Sequence, residues 1–431
     1  MPFKSCRSKK KATAQSKPAD ARPRPEPRKA DPNAPNILLL FADDLGYEAL
    51  GSYGGLDFAT PNLDHFARQS VRFSRAYTSA VCTPSRMSYY SGRYTANHGY
   101  YTVLPVHQGT KKAVDFRSTP TVAQALRQAG YATSVTGKWQ LAALEHHPAH
   151  VDSAGFESWC VWQIWRAGAK TTRYWNPCFN HDGKIRDDIA DRYGPDVLAE
   201  YVIDRMKQAV AVKRPFYIHH NMLLPHWPIL ETPNEKRSGQ PASLANLITY
   251  LDGLVGRILS AVEELGIAGN TWVIFMGDNG TDSKEPRHTQ AGKVHLGKHH
   301  LTEAGTHIPL LIRGPGGLKP GSVVTDLVDI ADFFPTLCEL TGAAIPAAAQ
   351  LDGISFAPRL LGATEKPHRT FVTAGLSKDY FVFDGQWRLH AKDDALYDCR
   401  ELPVETRITE DTPESAPARS RLQGILKAIR H

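Results

Sequence analysis

The stretch "CTPSRMSYYSGR" (82–93) sets a lone cysteine ahead of Pro84, Ser85 and Arg86, with Gly92-Arg93 close behind. Cys82 has no second cysteine or histidine two to four residues away, so a zinc site of local spacing is excluded. Arg86 follows too closely for the loop of a cysteine-dependent phosphatase, and the local signature of a papain-like nucleophile is absent. A buried free cysteine ahead of a helix is the plain alternative. Elsewhere the chain carries Asp43-Asp44, Lys138, His226 and Asp278-Asn279. Asp43, Asp44, Asp278 and Asn279 are hard oxygen ligands, suited to Ca²⁺ or Mg²⁺, with Ca²⁺ favoured because it accepts more ligands in looser geometry. A hard cation does not choose a thiolate. Cys82 therefore joins such a site only if its sulfur is replaced by oxygen.

Each of these groups directly follows a strand-like run. "NILLLFA" (36–42) leads into Asp43-Asp44, "YATSVTG" (131–137) into Lys138, "RPFYIHH" (214–220) into the loop with His226, and "TWVIFMG" (271–277) into Asp278-Asn279. Between them, "TPTVAQALRQAG" (119–130) and "ASLANLITYLDGLVGRILSAVEELG" (242–266) have helical periodicity and end at glycine. Strands alternating with helices predict an α/β fold, a large mostly parallel sheet flanked by helices. In such a sheet the carboxyl ends of the strands form the ligand crevice. An isolated Asp-Asn-Gly reads as a turn or cap; four segments delivering charge to one edge read as a site.

With 431 residues, 42% apolar and 9% aromatic, the chain is long enough for a large core and a smaller subdomain. No apolar run approaches the ~20 residues of a spanning helix. The net charge of +7 owes much to residues 1–34, rich in Lys, Arg, Pro and Ala, which are expected to form a disordered tail rather than a nucleic-acid surface. The same segment lacks the apolar core of a secretory signal, so on this sequence the expected location is cytoplasmic, unless the true start differs. Six widely spaced cysteines without CxxC pairs do not suggest a disulfide framework or zinc ribbon.

"CTPSRMSYYSGR" resembles the signature of the formylglycine-dependent sulfatases, in which the cysteine is oxidised to an aldehyde whose hydrate is both an oxygen ligand and an oxygen nucleophile. "NILLLFADDLGY", "TPNLDHFARQSVRFSRAYT", "TGKWQ", "LLPHWP", "GDNGT", "LGKHHLTEAGTHIPLLIRGPG" and "LVDIADFFPTLCELTG" resemble further segments of that family. The resemblance implies an alkaline-phosphatase-like fold, with a catalytic domain over 35–365 and a C-terminal α+β subdomain over 366–431. It implies a sulfuric ester hydrolase with metal ligands Asp43, Asp44, Asp278, Asn279 and the oxidised Cys82. Catalytic roles fall to Cys82, Arg86, Lys138, His226 and Lys298, with His226 as acid for the leaving group because a histidine titrates near neutrality.

Gln140 and His307 stand where many members carry histidine and arginine, and both are expected to meet substrate. Gln140, "RYWNP" (173–177) and "AGTH" (304–307) together resemble a bacterial arylsulfatase-like subgroup. The implied partners are a sulfated small molecule or carbohydrate and a formylglycine-generating maturation enzyme; members of the family are often exported. A phosphonate or phosphate ester hydrolase, or a non-catalytic anion-binding homologue with unmodified Cys82, are the alternatives. The cluster "WCVWQIWRAGAKTTRYWNP" (159–177) reads equally as a sugar-stacking surface or as core packing.

Overall fold

The computed structural model describes residues 31–429, so the expected tail lies outside the described residues except for 31–34. Ten strands form one sheet, in the order Val323–Asp329, Val71–Tyr77, His307–Arg313, Thr271–Gly277, Asn36–Asp43, Phe216–Pro225, Ala132–Gly137, Ser158–Trp162, Phe179–His181, Lys184–Ile185. The five central strands, from Thr271–Gly277 to Ser158–Trp162, are parallel. Antiparallel pairings lie to either side, where His307–Arg313 opposes both its neighbours and Phe179–Ile185 forms an edge hairpin.

Asn36–Asp43 sits in the middle and is buried along its whole length. Its side chains alternate between faces, with Ile37, Leu39 and Phe41 in one core and Leu38, Leu40 and Ala42 in the other. A strand covered on both faces has no polar side, which explains the uninterrupted apolar run. Helices Cys82–Ser91, Val122–Gln128 and Phe333–Thr341 cover the first face; Pro61–Gln69, Gly194–Ala211 and Leu244–Glu264 cover the second. Val122–Gln128 opens on a capping box between Thr121 and Gln124, and Leu244–Glu264 on Ser243, whose side chain accepts from the Asn246 N–H.

The expected strand at 214–220 is longer, running over Phe216–Pro225 and buried throughout. It pairs on both sides with central strands, so the apolar residues that follow His220 extend the sheet and deliver His226 at its rim. A second sheet, Val372–Leu376, Asp379–Phe383, Trp387–His390, Leu396–Asp398 and Thr406–Ile408, is an antiparallel meander. Helix Ser415–Ile429 packs on it through Ala418, Leu422 and Leu426 against Tyr380, Val382 and Leu389. Among the described residues no helix is long and apolar enough to cross a membrane.

Candidate active site

Four neighbouring parallel strands end at one edge and there present Asp278, Asp43-Asp44, His226 and Lys138 in turn. Two glycines allow the close approach. Gly137, at φ +92°, takes a conformation that side chains disfavour, and a Cβ there would collide with the Asn221 backbone oxygen. A Cβ on Gly277 would collide with the backbone oxygen of Leu45. Cys82 starts helix Cys82–Ser91, and Arg86 lies one turn later on the same face.

The Cys82 Sγ is 3.0 Å from Lys138 Nζ, 3.5 Å from Asp43 Oδ1 and 3.8 Å from Asp44 Oδ1. Lys138 donates to Asp43 Oδ1 and Lys298 to Asp44 Oδ2, both at 2.6 Å. Arg86 donates to Asp278 Oδ2 at 2.7 Å and to Asp43 Oδ1 at 3.4 Å, and its Nη1 also meets Asn221 Oδ1. Asn279 Nδ2 donates to Asp44 Oδ1 at 2.9 Å. His226 Nε2 is 3.6 Å from Asp44 Oδ2. Three buried carboxylates thus face three buried cations.

Burial works against each charge, and the neighbours decide the outcome. Burial alone would raise Asp43, yet Lys138, His226, Arg86 and Lys298 hold its carboxyl well below the usual range. Asp278 is lifted by burial, and by Asp43 and Asp44, to about 6 despite Arg86 and Lys138. Burial and the nearby Asp278 push the Cys82 thiol well above its ordinary value, so an unmodified Cys82 is a poor nucleophile here. His226 departs from the expected neutral titration. Burial lowers it to about 3, with Lys138 and Arg173 adding to the fall and Asp44 and Asp43 opposing it.

The arrangement fits a hard cation. Asp43 Oδ2 and Asn279 Oδ1 are buried with no hydrogen-bond partner, the state of oxygens that await a ligand. Ligand atoms of Asp43, Asp44, Cys82 and His226 all lie within 4.8 Å of one another. Two of these four ligands are carboxylates, and with the unpartnered Asn279 Oδ1 they supply the oxygens that Ca²⁺ and Mg²⁺ prefer.

One of the two expected substrate contacts is placed differently. His307 is buried, its Nδ1 is 2.7 Å from Glu303 Oε1, and its ring stacks on Tyr47 at 4.1 Å and Tyr77 at 5.1 Å. It opens a strand inside the sheet, so its side chain is spent on packing and does not join the cluster. Gln140 accepts from Thr83 Oγ1 through its backbone oxygen at 3.4 Å, while its side-chain amide bonds to no described residue. In the aromatic segment, Trp162 is buried beneath Arg173 and Lys170. The tryptophan open beside the site is instead Trp227, 47% exposed, with Nε1 held at 3.2 Å by the Asp282 backbone oxygen. Asn221 is a neighbour of the site that sequence reasoning did not single out, and Arg173 entered that reasoning only as the first residue of "RYWNP". Asn221, which follows His219 and His220 inside a wholly buried strand, is a detectable signal, since a buried polar group requires a partner.

A profile of the Sulfatase family matches residues 35–343, and one described as N-sulphoglucosamine sulphohydrolase, C-terminal, matches 293–431. Arylsulfatase A of Bos taurus is 30% identical over 390 residues, covering 83% of this chain and 74% of that protein. N-acetylgalactosamine-6-sulfatase of Canis lupus familiaris is 29% identical over 365 residues, covering 78% and 68%. The solved structure of Ps i-CgsB superposes with a TM-score of 0.79 at 24% identity, over 92% of this chain and 93% of that one. The fold is that of the alkaline-phosphatase superfamily. Within it, this chain belongs to the sulfatase family and is a hydrolase of sulfuric esters.

Proposed function

We propose that sulfate monoesters are cleaved at the Asp43–Asp44–Cys82 cluster after Cys82 has been oxidised to formylglycine by a maturation enzyme, with Ca²⁺ held by Asp43, Asp44, Asp278, Asn279 and residue 82. The observation that carries this reading is a cysteine set among oxygen ligands, two of which are buried and unpartnered. Bound there, the cation would withdraw charge from the sulfuryl oxygens, and the hydrated aldehyde would supply an oxygen nucleophile.

The chain's own residues do the rest. Lys138, 3.0 Å from Sγ, would hold the oxygen that replaces sulfur, and with Lys298 and Arg86 it would bind the sulfuryl oxygens where charge shifts. His226 lies on the open side and would give its proton to the departing oxygen. An arriving sulfate ester brings negative charge beside the imidazole, which raises its affinity for a proton from the low value set by burial. Trp227 offers an exposed aromatic face next to His226, which favours a sugar as the alcohol portion. We read 35–365 as the catalytic domain and 366–431 as a subdomain that steadies it. Glu303, five residues after Lys298, accepts from Arg388 of the small sheet at 3.2 Å.

Peptide mapping of protein produced together with a formylglycine-generating enzyme tests the reading. An aldehyde at position 82, activity lost in Cys82→Ala, and activity removed by chelation and restored by calcium are expected. A full complement of Cys82 thiol in active enzyme, or unchanged rates after exhaustive chelation, would overturn it.

A further inference from the structure

Among the described residues four arginines are less than a tenth exposed: Arg86, Arg173, Arg369 and Arg388. Three of them have buried carboxylate partners. Arg86 pairs with Asp278 at 2.7 Å, Arg369 with Asp332, and Arg388 with Glu303 at 3.2 Å. Arg173, 5% exposed, has no carboxylate within 4.0 Å among the described residues. Its guanidinium stacks on Trp162 at 4.7 Å and Tyr174 at 5.1 Å. Nη2 lies 2.7 Å from His226 Nδ1 and donates to the backbone oxygens of His226 and Trp227, while Nε is buried with no acceptor. Lys170 approaches the same Trp162 ring at 5.9 Å. Its ammonium is lowered by burial and by the charges of Arg173 and Lys138, which shows how closely positive charge is gathered on this wall. A buried cation whose neighbours are aromatic rings, carbonyls and further cations is costly unless an anion arrives to face it.

The position of Arg173 says which anion this is. Its contact is with Nδ1 of His226, whereas Nε2 faces the carboxylate cluster. The imidazole therefore stands between the guanidinium and the place of the scissile sulfuryl group, and Arg173 looks toward what the sulfate is attached to. We propose that Arg173, with Lys170 beside it, is a second anion subsite, and that the preferred substrates carry a further sulfate or carboxylate on their alcohol portion. This rests on the placement of the cleaved sulfate at the Asp43–Lys138–Lys298 cluster. Arg173 also acts as a positioning residue. Its Nη2 and the Trp227 backbone oxygen both lie 2.7 Å from Nδ1, so Arg173 helps to hold the imidazole in place with Nε2 toward the cluster.

The test is a panel of hexose 6-sulfates with a second sulfate, a carboxylate, or neither, at one further ring position in turn. Turnover is measured in matured wild-type enzyme, Arg173→Gln and Arg173→Lys. Binding of the corresponding products, which requires no turnover, is measured by titration calorimetry. At least one doubly anionic member should exceed its singly charged counterpart about tenfold or more in kcat/KM, and its anionic product should bind about tenfold more tightly than the neutral hexose, as befits a charge-assisted hydrogen bond. Arg173→Gln should bring both ratios close to one, whatever loss it causes throughout the panel, and Arg173→Lys should keep part of them. Sulfate and carboxylate arms identify the anion. Wild-type enzyme indifferent to the second anion, or Arg173→Gln lowering all members equally, would overturn the proposal. Anionic product bound tightly by protein that hydrolyses none of the panel would instead overturn the assigned cleavage site.

Discussion

Replacing Arg86 by methionine isolates the charge balance on which the site depends. The side chain is buried, donates to Asp278 and Asp43, and is held by Asn221. Methionine keeps much of the volume and removes the cation together with its hydrogen bonds. Breaking a buried pair from one side leaves an uncompensated charge and costs about 3–5 kcal/mol. At roughly 2 cal/mol/K of unfolding entropy per residue, a chain of this length loses about 3–6 °C of melting temperature for that amount. The cost is largest where Asp278 is ionised. Its carboxyl, already lifted to about 6 by burial and by Asp43 and Asp44, rises further without Arg86. Below that pH it takes up a proton and the penalty shrinks. Differential scanning fluorimetry in the presence of chelator should therefore show the full decrease at pH 8 and a smaller one at pH 5. Millimolar calcium should narrow the gap at pH 8, because a divalent cation supplies the missing positive charge. Arg86→Lys should recover only part of the stability, since an ammonium cannot reach two aspartates and Asn221 in the fixed geometry of a guanidinium. A decrease under about 1 °C at pH 8, or one equally large at pH 5, would refute Arg86 as the counter-ion of these carboxylates.

His226→Ala should cost on the order of 10²–10⁴ in kcat with alkyl or sugar sulfates and much less with nitrophenyl sulfate, because only a poor leaving group needs the proton; equal losses on both would show that His226 serves binding alone. Gly137→Ala should lower the melting temperature and nearly abolish turnover, since the strain at φ +92° and the collision with Asn221 both displace Lys138; near-wild-type rates would show that the strand end tolerates the shift. Asp329, away from the site, is raised to about 7 by burial and by Asp332 against the pull of Arg369. The folded state thus holds its proton more tightly than the unfolded chain, a stabilisation present below about pH 4 and lost as pH rises through 7. Asp329→Asn should then gain on the parent as pH rises from 5 to 8, and chemical denaturation showing a constant difference would contradict this.

The sequence alone carried what depends on short-range pattern. Uninterrupted apolar runs marked strands covered on both faces, the helical repeats with their caps marked what covers them, and the polar residues just beyond each run marked one edge of the sheet. Oxygen ligands around a cysteine pointed to the chemistry, because ligand type does not depend on where the chain goes. Tertiary structure decided which distant groups meet. Arg86 finds Asp278 192 positions away and Asn221 135 positions away, and no local periodicity encodes either pairing. His307 looked available for substrate by its place in "EAGTHIP", but opening a strand within the sheet gave it to Glu303 and two tyrosines. Trp162 of the 159–177 cluster is buried and Trp227 exposed for the same reason, since burial belongs to the packed layers and not to the residue. The fall of His226 and the rise of Asp278 likewise come from burial and from charges brought together by folding. Which residues could do chemistry was written locally; their protonation, their partners and the unpaired charge of Arg173 exist only once the strands are side by side.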